Sequence, residues 1–320
     1  MKPARVTAYR HLTPRDLDPP SSPQVFFEPA DTEIGVWVAQ DLIDAGGCAV
    51  LDLGSGSGAA AAAMARAGAD RVHGIDSGEH TVDWAREHYA SSDNGSRVTF
   101  SHGDFTALSS AELLATAPAP LGRPLVVTSN PPYVPLSPEV DALRRSVGGG
   151  TDGLKLIPAV IAHGRALGDG LGITIGSYSS PRKAVGMLAA AGFAVHAVTL
   201  CPLPFGDFTR DHPDQVLLLE ERDEAVIWRS GPWSPAYFIV GLACRRTTAE
   251  DGIPPGHTAA GRSADPYTSR LTGDGLMELL RTAARSRTTR LEALDESAVP
   301  HWTGPLRVVD LPQSAVRRHW

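Results

Sequence analysis

Asn130-Pro131-Pro132-Tyr133 stand directly after an apolar β-type run, LVVTS, at 125–129. Each proline fixes its own φ and pushes the preceding residue out of the helical region, so this stretch is a stiff, extended turn. On such a turn the Asn130 side-chain oxygen and the Pro131 carbonyl can accept both hydrogens of a planar amino group. That pairing draws a delocalised, weakly nucleophilic nitrogen toward a tetrahedral shape and aims its lone pair at an incoming methyl carbon. Pro132 holds the turn, and Tyr133 can stack on a flat acceptor.

A second cluster lies upstream. Asp52 ends a strand-like run and is followed by Gly54, Ser55, Gly56, Ser57 and Gly58, then by an Ala-rich helical stretch. Glycines let the backbone turn sharply and approach a ligand closely, with the N–H groups of a helix N-terminus behind them. Asp76, eighteen residues beyond Gly58 and followed by Ser77, can accept both hydroxyls of a ribose. Asp104 can accept the exocyclic amine of an adenine whose face Phe105 covers. The same acids could instead cap a helix (Asp76) and make a turn (Asp104). The glycines also satisfy a degenerate dinucleotide fingerprint, so these residues alone leave NAD and S-adenosylmethionine both open.

The elements that must position these residues alternate. Strands are expected at Ala49–Leu53, Val72–Asp76, Arg97–Ser101, Leu125–Ser129 and Leu171–Gly176. Helices are expected at Asp31–Ala45, Ala59–Ala67, Gly78–Ala90, Leu154–Leu167 and Pro181–Ala191. This order implies a parallel sheet with helices on both faces, and it puts Asn130 at the switch point where open α/β sheets bind ligands. Two further strands, Phe193–Leu200 and Ala236–Cys244, flank a connection of about thirty-five residues, too long for a bare loop. The domain boundaries follow: an arm at 1–30, a catalytic domain at 31–246 with an insertion at about 202–235, and an extension at 247–320. Within the extension only Gly275–Ala284 and Leu306–Leu311 look regular, and it is expected to pack on the core.

Composition narrows the partners. A net charge of −7 argues against a broad grip on nucleic acid, so a small molecule or another protein is the expected partner. The arginines at 281, 285, 287 and 290 read as a solvated helix face. Cys48, Cys201 and Cys244 are widely spaced and the eleven histidines lack metal-ligand spacing, so no metal is expected. His102 and His163 are placed by no motif. With no long apolar span and no signal-peptide pattern, the expected location is the cytoplasm.

Taken together, EPADTE (28–33), VLDLGSGSG, GIDSGEHTVDWARE, VTFSHGDF, VTSNPPYV and GGTDGLKLIPAVI (149–161) resemble the class I S-adenosylmethionine-dependent methyltransferases. Within them the chain resembles the HemK family, which methylates a glutamine side-chain amide in peptide-chain release factors. The resemblance spans about 26–200. It implies a Rossmann-like, seven-stranded, mostly parallel sheet with helices on both faces. It also implies S-adenosylmethionine held by Gly54–Gly58, Asp76 and Phe105, and an acceptor nitrogen held by Asn130 to Tyr133. Thr32 and Glu33 would line the far side of the cofactor. The chain departs from the family in three places: only about forty-eight residues precede the first strand, Gly176-Ser-Tyr-Ser-Ser follows the fifth, and the chain runs on past Cys244. The expected function is therefore N-methylation of a planar amide or amino nitrogen in a small molecule, specialised metabolite or peptide. The alternatives are release-factor glutamine methylation and an NAD-dependent dehydrogenase. Phe205, Phe208, Trp228 and Trp233, with the extension, are expected to enclose the acceptor.

Overall fold

The computed structural model describes residues 3–20, 25–43, 47–89, 97–143, 146–247, 270–294 and 302–312. Tyr267 and Trp320 of the extension lie outside them. One sheet organises the described residues. Its central strands are β2 (Ala49–Leu53), β3 (Arg71–Asp76), β4 (Val98–His102), β5 (Leu125–Ser129) and β6 (Gly170–Gly176), all parallel. β8 (Ala236–Arg246) inserts antiparallel between β6 and β7 (Phe193–Pro204).

Among the described residues the sheet has nine strands where seven were expected, the additions being β1 (Ala4–Val6) and β9 (Leu306–Val309), in the order β1-β9-β7-β8-β6-β5-β2-β3-β4. The two additions come from opposite ends of the chain. β9 (Leu306–Val309) pairs parallel with β7, and β1 (Ala4–Val6) pairs parallel with β9. β1 is too short to carry a periodic pattern of its own, whereas β9 falls within the Leu306–Leu311 run that the sequence marks as regular; pairing along an open edge satisfies the backbone groups of both.

Apolar clusters cover both sheet faces. Helices α1 (Pro29–Gln40), α2 (Ala59–Arg66), α3 (Glu79–Tyr89) and α9 (Asp214–Glu221) pack on one face. The short α4 (Ser110–Ala115), α6 (Ile157–Leu167), α7 (Pro181–Ala190) and α10 (Gly273–Ala284) pack on the other, with α10 seated against α7. Alanine lets α2 sit close to the sheet, since a helix with methyl side chains occupies the least width. Two more short helices, α5 (Pro138–Asp141) and α8 (Asp207–Asp211), belong to the loops after β5 and β7. α6 begins at Ile157, later than the periodicity suggests, because Gly150 and Gly153 adopt φ of +73° and +76° in a turn. β7 runs on to Pro204, four residues beyond the expected Leu200, and shortens the long connection by as many. On the surface Arg281 pairs with Asp223, and Arg285 with Glu278.

Candidate active site

The carboxyl ends of β2, β3, β4 and β5 open on one cleft of about 430 Å³, which adjoins a second chamber of about 50 Å³. Five residues line both: Phe26, Asp31, Gly54, Gly56 and Asn130.

The glycine turn is built by its neighbours. The N–H groups of Gly54 and Ser55 donate to the Ile75 carbonyl at 2.8 and 3.0 Å, tying the turn to the end of β3. Gly58 caps α2 at φ +83°, and a Cβ there would stand 2.7 Å from Phe100 Cζ. Only glycine fits both demands. Asp76 holds the other side: Oδ2 accepts from the Gly56 N–H at 3.0 Å and Oδ1 from the Gly78 N–H at 2.8 Å. Its carboxylate thus shapes the turn while lining the cleft beside Ser77. Burial pushes its pKa up, and the bonds from Gly78 and Gly56 pull against that shift.

Asp52 faces the small chamber with Ser55, Ser57 and Thr128. Its Oδ1 accepts from the Thr128 hydroxyl at 2.8 Å, while Oδ2 is buried with no hydrogen-bond partner among the described residues. Burial raises its pKa to about 6, opposed by the Thr128 bond and assisted by the charge of Asp76. A buried carboxylate oxygen left without a donor marks a place for a donor-bearing, cationic ligand group. The methionine ammonium of S-adenosylmethionine fits that requirement.

At the tip of β4, Asp104 makes the tight turn: its Oδ1 accepts from the Thr106 N–H and hydroxyl at 2.8 and 2.6 Å, and it also borders the cleft. Phe105 is buried in the cleft wall. Its carbonyl accepts from His163 Nε2 at 2.7 Å, which assigns the proton to that nitrogen and lets Nδ1 accept from the Ser110 hydroxyl at 2.8 Å. His163 therefore props the Phe105 backbone. His102 is exposed, with Nε2 3.1 Å from the Ser77 carbonyl.

The Asn130–Tyr133 loop is clamped from several sides. The Thr174 hydroxyl on β6 donates to Asn130 Oδ1. The Ser179 hydroxyl donates to the Tyr133 carbonyl at 2.7 Å. The GGTDGL segment packs against the same backbone: a Cβ on Gly149 would stand 2.8 Å from Tyr133 C, and one on Gly153 would stand 2.6 Å from its carbonyl oxygen. Pro131 and Pro132 line the cleft.

Tyr133 is not free to move onto a substrate. Its hydroxyl donates to both oxygens of Asp31, at 2.8 and 2.9 Å, and its ring lies among those of Tyr178 and Tyr237, with centroids 6.2 and 6.4 Å away. Burial, then the Asp31 charge, hold its pKa well above the ordinary tyrosine value. Its role is that of a fixed wall.

The DTE segment divides differently from the expectation. Thr32 lines the small chamber, but Glu33 points the other way. It accepts from the N–H groups of Arg10, His11 and Leu12 and from His11 Nδ1, tying the N-terminal arm to α1. Burial works against its charge, yet these bonds keep its pKa low.

The aromatic insertion is also divided. Gly206 and Thr209 border the cleft, and Phe205 packs edge-on against Tyr178, with centroids 5.8 Å apart. Phe208 packs with Val134, Leu136 and Val147. Trp228 stacks on Phe238 and donates from Nε1 to the Ser286 carbonyl at 2.8 Å, with Trp233 edge-on to it. Trp228 thus ties the insertion to the extension, and no described residue beyond Tyr237 lines either cavity. Asp31, Thr128, Thr174, Tyr178 and Tyr237 are site residues that the sequence reading did not single out. Thr174 carried one signal, being the only hydroxyl residue in GLGITIG.

Among the described residues no group of His, Cys, Asp and Glu is arranged to hold a metal ion, and no helix is long and apolar enough to cross a membrane.

A sequence family described as a methyltransferase domain matches residues 50–115, the stretch carrying Asp52, the glycine turn, Asp76 and Asp104. No curated protein matches the chain in sequence. Among solved structures the chain is similar to a Pyrococcus horikoshii protein provisionally assigned as an RNA methyltransferase (13% identity, 76% of this chain and 92% of that one, TM-score 0.45). It is also similar to a ribosomal protein L11 methylase from Lactobacillus delbrueckii subsp. bulgaricus (16%, 70% and 82%, 0.39). A third is an O-methyltransferase from Bacillus cereus solved in complex with SAH (14%, 70% and 84%, 0.40). By their names these three act on different acceptors, and none speaks for the acceptor of this chain. The match over residues 50–115 and the geometry of the cleft support an S-adenosylmethionine-dependent methyltransferase of Rossmann-like fold.

Proposed function

We propose that this enzyme transfers the methyl group of S-adenosylmethionine to a planar amide or amino nitrogen of a small molecule, specialised metabolite or peptide, with a HemK-like acceptor loop. The observation that carries this reading is the position of Asn130, which borders both the chamber containing Asp52 and the open cleft. An acceptor atom held by Asn130 sits at the boundary between the two.

The Gly54–Gly58 turn and Asp52 would hold the methionine part of the cofactor, Asp76 the ribose, and Asp104 with Phe105 the adenine. When bound, the cofactor supplies an electrophilic sulfonium methyl. With the cofactor bound, Asn130 Oδ1 and the Pro131 carbonyl would accept the two N–H groups of the acceptor and aim its lone pair at the methyl carbon; transfer would release S-adenosylhomocysteine and pass one N–H proton to solvent in the open cleft. Positioning is the main demand, because the nitrogen, carbon and sulfur must lie nearly in line. Gly206 and Thr209 border the acceptor side.

The test is Asn130→Ala. Loss of one preorganised hydrogen-bonding group should lower turnover by about two to three powers of ten, with S-adenosylhomocysteine affinity nearly unchanged. The acceptor is found by incubating the enzyme with labelled S-adenosylmethionine in extract of the source organism and locating the label, with a release-factor glutamine peptide as a parallel substrate. Label on oxygen or carbon, or a near-normal rate for the Asn130 variant, would defeat the reading.

A further inference from the structure

β6 is buried along its whole length, and Thr174 is its one hydroxyl residue. β5 and β6 run parallel with Ser129 opposite Ile173, so one step further along both strands brings Thr174 beside Asn130. There the Thr174 side chain, 1% exposed, donates its hydroxyl hydrogen to Asn130 Oδ1. Valine has nearly the same shape and suits a buried strand at least as well, without a polar atom to desolvate. The hydroxyl at this place is thus accounted for by its partner, the side chain that joins the two cavities.

We infer that Thr174 is a positioning residue for methyl transfer, acting through Asn130; the inference rests on the N-methylation reading. A carboxamide is nearly symmetric in shape, and turning it by half a revolution exchanges an acceptor oxygen for an NH₂ donor. Oδ1 has two lone pairs. Thr174 engages one and thereby keeps the oxygen on this side of the group, leaving the second lone pair for an N–H of the methyl acceptor. With the amide reversed, NH₂ would confront N–H, donor against donor, while the Thr174 hydroxyl would turn from donor to acceptor and its hydrogen would need a new partner. Thr174 lines the same chamber as the Asp52–Thr128 pair, but its hydroxyl bonds Asn130 while Thr128 bonds Asp52, so cofactor affinity measured beside the rate tells an effect through Asn130 from one on the cofactor.

The experiment compares Thr174→Val, Thr174→Ser, Asn130→Ala and the Asn130→Ala/Thr174→Val double variant. Two measurements are made. The first is the single-turnover rate of tritium transfer from S-adenosylmethionine into the acceptor fraction of the source extract, alongside S-adenosylhomocysteine affinity by calorimetry. Thr174→Val should be slower by on the order of tenfold, with affinity changed less than about twofold, and Thr174→Ser should restore the rate. In the Asn130→Ala background the valine change should have no further effect. The second measurement needs no acceptor: the side-chain NH₂ resonances of Asn130, assigned by their loss in Asn130→Ala, should shift in Thr174→Val and stay in place in Thr174→Ser. An unmoved resonance pair, a normal rate for the valine variant, a serine variant as slow as valine, or an undiminished valine effect without Asn130 would each overturn the role of Thr174. A normal rate for Asn130→Ala alone would instead overturn the N-methylation reading.

Discussion

The hydroxyl of Tyr133 donates to both carboxylate oxygens of Asp31, at 2.8 and 2.9 Å, and so joins the loop after β5 to the first turn of α1. This single contact fixes one end of the acceptor loop to the element that walls both cavities. Tyr133→Phe removes the donor from a buried carboxylate and should cost about 1–3 kcal/mol. A drop of several degrees in the thermal midpoint by calorimetry, with turnover lowered by about tenfold, is the expected result. An unchanged midpoint would show that the loop is held elsewhere.

Cofactor affinity should depend on pH through Asp52. Burial raises its pKa to about 6 from 3.8, so over that interval the folded protein binds more protons than the unfolded chain and its stability falls as pH rises. Above the interval the carboxylate is ionised and can pair with the ammonium of the ligand. S-adenosylhomocysteine should therefore bind about tenfold more weakly at pH 5 than at pH 7, measured by calorimetry in matched buffers. Asp52→Asn should flatten that step; a step that survives in the variant belongs to another group.

Gly58 tests the glycine turn. A Cβ would meet Phe100 Cζ at 2.7 Å, and φ of +83° disfavours any side chain, so Gly58→Ala should destabilise by about 1–3 kcal/mol. Adding Phe100→Ala should relieve the closest overlap but leave the backbone strain and the 3.0 Å approach to Ala85 Cβ, so the double variant should still melt below Phe100→Ala alone. Equal midpoints for those two would remove the argument from φ.

Trp228 separates the extension from the cleft. Trp228→Phe deletes the hydrogen bond to Ser286 and should cost about 1–2 kcal/mol in urea unfolding. Turnover per folded molecule at 25 °C should stay the same. A selective loss of turnover would restore the view that these tryptophans help to enclose the acceptor.

Much of the site was legible because it sits on short-range patterns. Strand tips followed by glycines, acids or prolines are local statements, and the glycine turn, Asp76, Asp104 and Asn130–Tyr133 all reach the cleft rim or its wall. The DTE segment shows where such reading stops. Successive helical residues point about 100° apart, so Asp31 and Glu33 diverge by roughly 200° and cannot serve one ligand. Which of the two faces the cleft depends on how α1 is rotated against β6 and β8. That rotation turns Asp31 toward Tyr133 and Glu33 toward Arg10–Leu12.

What the amino-acid order determined unaided was the alternation of strand and helix, the backbone conformations demanded at Gly54, Gly56 and Gly58, and the stiff turn at Pro131-Pro132, since each depends only on adjacent residues. Tertiary structure alone decided that Thr174 meets Asn130, that the Tyr133 hydroxyl meets Asp31 while its ring packs beside Tyr178 and Tyr237, and that Leu306–Val309 and Ala4–Val6 extend the far edge of the sheet. Those contacts join residues far apart in the chain, and their formation is governed by the register and packing of whole elements.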